Sequence, residues 1–214
     1  MIKLHIPDGF LSTPIWVSMW VIALLIIGYA VRRTNEKLGE RHVPMMGVLA
    51  AFIFAVQMLN MPVAGGTSGH MLGGVLSAIF LGPFAATIVM STVFAVQAIF
   101  FQDGGITALG ANIINMGLIG TILGYYIYQG IRKVVGGEKG ILIGAGVAGW
   151  TSLMLGAISC ALMLGTSGVA PLGVALPAMA GIHMFIGVIE AGLTVVIVGM
   201  VLKSRPDLME LQKI

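Results

Sequence analysis

The chain has 214 residues, of which 58% are hydrophobic and only 9% are charged, and its formal net charge is +3. A soluble domain carries about 25% charged residues, so this chain lacks the polar groups that would cover a water-exposed surface. The composition excludes an ordinary soluble domain and indicates an integral membrane protein. The single cysteine, Cys160, excludes a disulfide framework and a CxxC metal site.

Seven apolar segments follow the first ten residues, which lack the features of a cleaved signal peptide. A membrane-spanning helix needs about 20 apolar residues, and the third segment is too short for that. We expect it to be a short crossing helix or a re-entrant one, with its backbone buried in protein. The sequence therefore predicts an all-α bundle of seven transmembrane helices, the third short, in one domain spanning 1–214. The segments are 13–31, 45–63, 71–81, 84–101, 105–131, 140–164 and 172–202.

The basic residues predict how the bundle is oriented. Ten of the eleven Lys and Arg residues lie in the stretches 32–41, 132–139 and 203–213. If the third segment crosses, these stretches share one side, which the positive-inside rule assigns to the cytoplasm. We therefore expect an N-terminus outside, a C-terminus in the cytoplasm and a location in the cell membrane of a prokaryote. The 31 glycines indicate close packing of helices in the bilayer.

Three of the four histidines fall on the predicted outer side, namely His5, His70 and His183, whereas His42 falls on the inner side. A hydrogen-bonded structural role is the alternative for each of them. An imidazole also suits nickel, copper, zinc and iron, and square-planar nitrogen sites favour Cu(II) or Ni(II). A terminal amine, the next backbone nitrogen and a histidine near the chain end can chelate such a metal. From Met1, however, the ring closed by His5 would be too large.

Other polar residues also lie within apolar segments, where ionisable groups are functional candidates. Glu190 follows His183 by seven residues and shares its helical face, so we expect it to pair with a polar neighbour or to face a hydrated cavity. Asn112 and Asn115 lie three residues apart on the fifth segment, near the outer level. Hydrogen bonding between helices is the alternative role for both asparagines.

Several stretches occur in an order that resembles a known family: LHIPDGFLS, AAFIFAVQMLNMP, GGTSGHMLGG, GANIINMG and GIHMFIGVIEAGLT. They resemble the nickel- and cobalt-specific substrate-binding (S) components of energy-coupling factor transporters, the CbiM/NikM family. The resemblance implies capture of Ni(II) or Co(II) outside the cell for ATP-driven uptake. HIPDGFLS and the seven-helix count are more similar to the nickel members, so nickel is favoured over cobalt. A cobalt cargo would imply supply to cobalamin biosynthesis.

The resemblance also implies a ligand set. Family members begin Met-His and bind the metal through the Met amine, the backbone nitrogen and ring of that histidine, and a loop histidine. These ligands correspond here to Leu4, His5 and His70, with Asp8 orienting an imidazole from the second shell. Because Leu4 stands where the initiating Met is expected, we hypothesise that translation begins at position 4, or that trimming exposes its amine. An intact mass that retains Met1 would contradict this.

The resemblance further implies partner proteins: a T-type transmembrane coupling protein, cytoplasmic ATPase subunits and a small accessory membrane protein. Ala51 and Ala55 form a small-x-x-x-small stripe that is similar to the surface on which the T protein docks. No Walker motif occurs in the chain. We therefore expect that the chain is not an enzyme and that the partner subunits hydrolyse ATP.

Two alternative functions remain at this point. Gly66-Thr67-Ser68-Gly69 fits the GxSG pattern of a rhomboid-type intramembrane serine protease, with His183 as the base, but GTSG recurs at 165–168. The second alternative is a passive channel or a secondary metal transporter. In that case His183 and Glu190 would relay protons. Dependence of metal uptake on partner ATPases distinguishes the channel from the S component.

Overall fold

A computed structural model describes residues 5–36, 38–40, 42–58, 61–63, 67–69 and 71–213. The seven helices predicted from the sequence are confirmed in these residues. Two strands, β1 (Met61–Val63) and β2 (Thr67–Gly69), pair antiparallel between the second and third helices, and a 3-10 helix, Pro206–Lys213, follows the last one. The helices are α1 (Thr13–Asn35), α2 (His42–Met58), α3 (Gly74–Leu81), α4 (Pro83–Phe101), α5 (Leu109–Val135), α6 (Gly137–Thr166) and α7 (Leu172–Ser204).

Five of these helices, α1 and α4 to α7, are long and apolar enough to cross a membrane, so the chain is a multi-pass membrane protein. Two predicted boundaries were wrong. The second segment ends at Met58 rather than at residue 63, because a proline at position 62 lacks an N–H and disfavours a helical conformation in Met61. The fifth helix begins at Leu109 rather than at residue 105, because the backbone N–H of Gly105 is bonded to Ile6 instead.

Helix α3 is the short third segment. Its eight residues span only about 12 Å, against a hydrocarbon thickness of about 30 Å. Every one of its residues is buried, as a partly spanning helix requires. The helix begins beside Glu190, halfway along α7, because the Glu190 carboxylate accepts hydrogen bonds from the N–H groups of Leu72 and Gly73. Helix α3 is therefore too short to cross the hydrocarbon layer alone, and it begins where a buried carboxylate holds the preceding backbone.

The two ends of the bundle differ in character. One end, here called the N-terminal end, carries residues 5–12, the loop 102–108 and the turn 167–171. Backbone contacts join them: Gly105 donates to the Ile6 carbonyl at 2.9 Å, and the Ser12 N–H donates to the Ser167 hydroxyl at 3.1 Å. The opposite end, here called the basic end, carries cationic residues in the last turns of α1, α5 and α7. That the basic end faces the cytoplasm stays a prediction.

Glycines on α5 allow its backbone to approach two other helices. A Cβ atom on Gly110 would lie 2.6 Å from the Trp20 Cα of α1, and one on Gly74 of α3 would lie 3.0 Å from the Gly120 Cα. Residues Ile113–Leu123 of α5 are π-helical, a wider turn that is often found at functional sites. The expected packing role of the glycines is therefore confirmed at these positions.

We predict that Gly110→Ala lowers the unfolding temperature of the detergent-solubilised protein, because the added Cβ would collide with the backbone of α1 at Trp20. Gly130→Ala is the matched control on the same helix, because a Cβ there meets nothing within 4 Å. Replacing that exposed helical glycine should be neutral or stabilising by up to about 1 kcal/mol. Thermal unfolding followed by circular dichroism compares the two; equal shifts would contradict the packing described.

Candidate metal-binding site

The N-terminal segment, residues 5–12, is inserted into its end of the bundle. The side chain of Ile6 is only 1% exposed. Both polar groups of the Ile6 backbone bind the side chain of Asn112 on α5: the Ile6 N–H donates to Oδ1 at 2.8 Å, and Nδ2 donates to the Ile6 carbonyl at 3.1 Å. Because both groups are buried, their hydrogen bonds are needed for insertion. Asn112, predicted to be near the outer level, therefore holds the segment that carries His5.

Asp8 is a second attachment point for the N-terminal segment. Its carboxylate accepts hydrogen bonds from the N–H groups of Ile106 and Thr107 and from the Thr107 hydroxyl. The hydrogen bond from the Thr107 hydroxyl, and to a lesser degree those from the backbone N–H groups of residues 106–108, hold the pKa of Asp8 below its usual value. A lowered pKa means that the anchor is intact at neutral pH and is lost as pH falls through that lowered value. Gly105 has no room for a Cβ beside Asp8, so a glycine is required there.

His5 is buried at 2% exposure, against residues of the loop 102–108 and of α4. Its Nδ1 lies 3.3 Å from a carboxylate oxygen of Asp103, and its ring makes an edge contact with Phe94 at a centroid distance of 5.6 Å. A carboxylate in this position fixes the orientation of an imidazole and raises its basicity as a ligand. The structure thus places Asp103, rather than Asp8, against the His5 ring.

Asp103 did not emerge from the sequence as a site residue. The signal for it was its place as the first charged residue after the uncharged run that begins at His42. A left-handed residue, Gln102 with φ 53°, ends α4, and the Asp103 N–H then donates to the Gln97 carbonyl at 3.0 Å. This helix end directs the Asp103 carboxylate towards His5. A cleft of about 500 Å³, bordered by His5, Gln102 and Gly105, opens beside the ring at the N-terminal end.

The two other predicted ligands, Leu4 and His70, lie outside the residues that the structure describes. Among residues that it does describe, no three His, Cys, Asp or Glu side chains are grouped as a metal site. The described residues therefore include one predicted imidazole ligand, His5, and the chain from Met71 onward, which follows the second predicted ligand, His70.

Glu190 fixes the chain just beyond His70. Its buried carboxylate accepts the N–H groups of Leu72 at 2.9 Å and Gly73 at 3.0 Å. The Leu72 carbonyl accepts from Gln57 Nε2 of α2 at 2.7 Å. The expectation that Glu190 pairs with a polar neighbour is confirmed, and the partner is backbone rather than a side chain. Gln57 was not singled out from the sequence, although a buried amide within an apolar segment was the available signal.

His183 and Asn115 occupy other surroundings. His183 shares the buried face of α7 with Glu190, as its spacing predicted, and its Nδ1 is 2.6 Å from the Met179 carbonyl one turn earlier. Asn115 Nδ2 contacts the sulfur of Met163 on α6 at 3.5 Å. Within the described ranges, no hydrogen bond joins either side chain to His5. A role for them along a metal pathway stays a prediction.

The predicted docking stripe lies on the outer surface of α2. Ala51 and Ala55 are both exposed, and Gly47, one turn before Ala51, is exposed as well. A Cβ on Gly47 would meet nothing within 4 Å, so no described part of the chain covers that position. The stripe therefore faces the surroundings of the bundle rather than its core.

Comparison with known proteins gives consistent results. Residues 5–208 match the model of the CbiM family, described as the cobalt uptake substrate-specific transmembrane region. The chain is 38% identical to a candidate fused nickel transport protein from Archaeoglobus fulgidus, with 97% of the chain and 68% of that protein covered. It is 36% identical to a fused nickel transport protein from Rhodobacter capsulatus, with 96% and 64% covered. The chain thus spans about two thirds of these relatives.

A solved structure is also similar: the crystal structure of a truncated transition metal transporter, at 32% identity and a TM-score of 0.87. The match covers 94% of the chain and 99% of that structure. At this identity and coverage, the likeness extends over the seven-helix fold as a whole.

We predict that Asn112→Leu loosens the N-terminal segment, because the buried N–H of Ile6 loses its partner and the Ile6 carbonyl keeps only the N–H of Gly105. Hydrogen exchange of the peptide covering residues 5–12 should then become at least tenfold faster, which corresponds to about 1.4 kcal/mol, a typical cost for such a loss. Asn115→Leu is the control on the same helix, since Asn115 contacts Met163 instead. Unchanged protection in Asn112→Leu, or equal loss in both variants, would contradict the attachment.

Proposed function

The chain belongs to the CbiM family of substrate-specific transmembrane regions for cobalt uptake, and we propose that it binds Ni(II) or Co(II) on the extracytoplasmic side as the substrate-binding component of an energy-coupling factor transporter. The single observation that carries the proposal is the buried His5. An imidazole with its Nδ1 beside a carboxylate, at the mouth of a membrane bundle, is arranged as a metal ligand. Nickel and cobalt transport in its relatives agrees with this cargo.

The ligand set that we propose combines two chain segments. His5 supplies its imidazole and its backbone nitrogen, the residue before it supplies an amine when it is the chain terminus, and His70 supplies the fourth nitrogen. Ile6 and Asp8, one and three residues after His5, are held by Asn112 and by the loop 105–107. Binding the metal therefore needs little further ordering of this segment, which favours affinity.

We favour Ni(II) over Co(II) because four nitrogen donors that include the end of a chain lie naturally in one plane. Square-planar nitrogen coordination is favourable for Ni(II), and Ni(II) also precedes Co(II) in the general order of affinities. The names of the two relatives described above, both nickel transport proteins, agree with this preference.

The proposed partners are a T-type transmembrane coupling protein, cytoplasmic ATPase subunits and a small accessory membrane protein. The exposed stripe of Gly47, Ala51 and Ala55 on α2 supports docking of the T protein, because small residues allow a second helix to approach closely in the bilayer. The bundle end with the basic residues would face the ATPases in the cytoplasm. In this arrangement the chain selects the metal, and its partners couple uptake to ATP.

We predict one-to-one Ni(II) binding to the purified protein in calorimetry, weakened at least 100-fold by His5→Ala and by His70→Ala. Each removes one of the two imidazoles among the four proposed nitrogen ligands. His42→Ala is the control, because His42 lies at the basic end, where it binds Gly39. Intact mass of the same sample defines the first residue and so the available amine. Binding that ignores both substitutions would contradict the proposed site.

We predict that vesicles containing the chain and its partner subunits take up Ni(II) only with ATP. Ala55→Leu should retain metal binding and lose most of the uptake, because the larger side chain keeps the T protein away from α2. Gly192→Leu is the control, since Gly192 is exposed on α7 and a Cβ there meets nothing within 4 Å. Uptake of equal rate by the chain alone would indicate a passive channel.

A further inference from the structure

Two buried glutamines lie between the elements of the candidate site. Gln57 of α2 and Gln97 of α4 are 1% and 0% exposed. A primary amide in an apolar bundle is costly unless it is hydrogen-bonded, so the bonds that these two side chains make are expected to be specific. They are made to each other and to the chain segment that follows His70.

The direction of these hydrogen bonds is fixed by one acceptor. The Leu72 carbonyl can only accept, so Gln57 must present Nε2 to it, at 2.7 Å. The Oε1 of Gln57 then points the other way and accepts from Gln97 Nε2 at 2.9 Å. Leu72 is held from its other side by Glu190, which accepts its N–H. The glutamine pair therefore begins at a backbone position that is itself fixed.

Gln97 is also connected to His5, through Asp103. The backbone carbonyl of Gln97 accepts the N–H of Asp103 at 3.0 Å, and the Asp103 carboxylate lies 3.3 Å from His5 Nδ1. Phe94, one turn before Gln97 on α4, contacts the His5 ring by its edge. One continuous series of contacts thus joins Leu72, Gln57, Gln97, Asp103 and His5.

We propose that Gln57 and Gln97 are positioning residues that set the spacing between the two segments carrying the metal ligands. The proposal rests on the proposed function, because it takes His5 and His70 as those ligands. His70 precedes Leu72 by two residues in the sequence. In the proposal, holding Leu72 relative to α4 limits the freedom of this ligand relative to His5.

This spacing bears on which metal is selected. A planar set of four nitrogens, favourable for Ni(II), tolerates little displacement of one donor out of the plane. Zn(II) prefers a tetrahedral arrangement and has no preference imposed by its d electrons. Loosening the glutamine pair should therefore weaken Ni(II) binding more than Zn(II) binding.

The test uses Gln57→Met and Gln97→Met, which replace the amide by an apolar side chain of similar length. Each should weaken Ni(II) binding in calorimetry by 10- to 100-fold, the range typical of residues that position metal ligands. Zn(II) binding should change less, and the visible absorption of bound Ni(II) should shift away from that of a planar site. The double variant should be no worse than either single one, because both remove one series of contacts.

Gln129→Met is the matched control. It also removes a hydrogen bond made by a glutamine amide, here a partly buried one from Gln129 to the Tyr125 hydroxyl on α5. It should leave Ni(II) affinity and the ratio of Ni(II) to Zn(II) affinity unchanged. Equal losses for both metals in Gln57→Met and Gln97→Met, or additive losses in the double variant, would overturn the proposal. Gln97→Asn, which retains the amide but shortens its reach, replaces Gln97→Met if that variant does not fold.

A measurement without metal separates this proposal from the proposed function. In the metal-free protein, each Gln→Met change should increase hydrogen exchange in the peptide covering residues 59–73, because Leu72 loses its link to α4. Residues 5–12 should exchange as before, because Asn112 and the loop 105–107 still hold them. Unchanged exchange in residues 59–73 would overturn the positioning role, whatever the metal. If the wild-type protein binds neither Ni(II) nor Co(II), while the Gln→Met variants show the expected exchange, the proposed function is refuted. The positioning of Leu72 by the two glutamines would then still stand.

Discussion

The buried peptide group of Ile6 is the feature on which the candidate site depends. An N–H and a carbonyl taken into an apolar bundle must find partners there; one side chain, Asn112, bonds to both, and the carbonyl also accepts the N–H of Gly105. Its amide has one donor and one acceptor face, which match a peptide group in the way that a neighbouring strand would. His5 is buried because its neighbour is satisfied. Without Asn112, the Ile6 N–H would be buried with no partner, which costs about 1–3 kcal/mol.

The segment that follows His70 is held in a similar way, by side chains that bond to its buried backbone groups. Residues 71–73 are buried without helical structure, and Glu190 accepts two of their N–H groups while Gln57 donates to the Leu72 carbonyl. Irregular backbone is tolerated at membrane depth only where protein surrounds it. Ile6 and residues 71–73 are therefore irregular, buried backbone whose polar groups bond to side chains on neighbouring helices. These bonds fix the backbone beside both proposed ligands.

Much of the fold was predictable because apolar length alone defines membrane helices, and the short third segment was visible from its eleven residues. The errors lay where local chemistry overrides hydropathy, at the proline that turns the end of the second segment into a strand and at Gly105, which binds Ile6. For the site, single polar residues such as Asn112 and Glu190 stood out against an apolar background. Their partners did not, because those partners are backbone groups. Asp103 was missed because it lies in a loop, where an acidic residue is ordinary.

The central claim is that the inserted N-terminal segment and the loop before α3 share one metal ion through nitrogen donors. X-ray absorption spectroscopy at the nickel edge, on the Ni(II)-loaded native protein, tests it most directly. The account predicts a four-coordinate planar spectrum with nitrogen ligands that include two imidazoles. A six-coordinate spectrum dominated by oxygen would contradict it, because it would assign the metal to carboxylates or water instead of to His5 and His70.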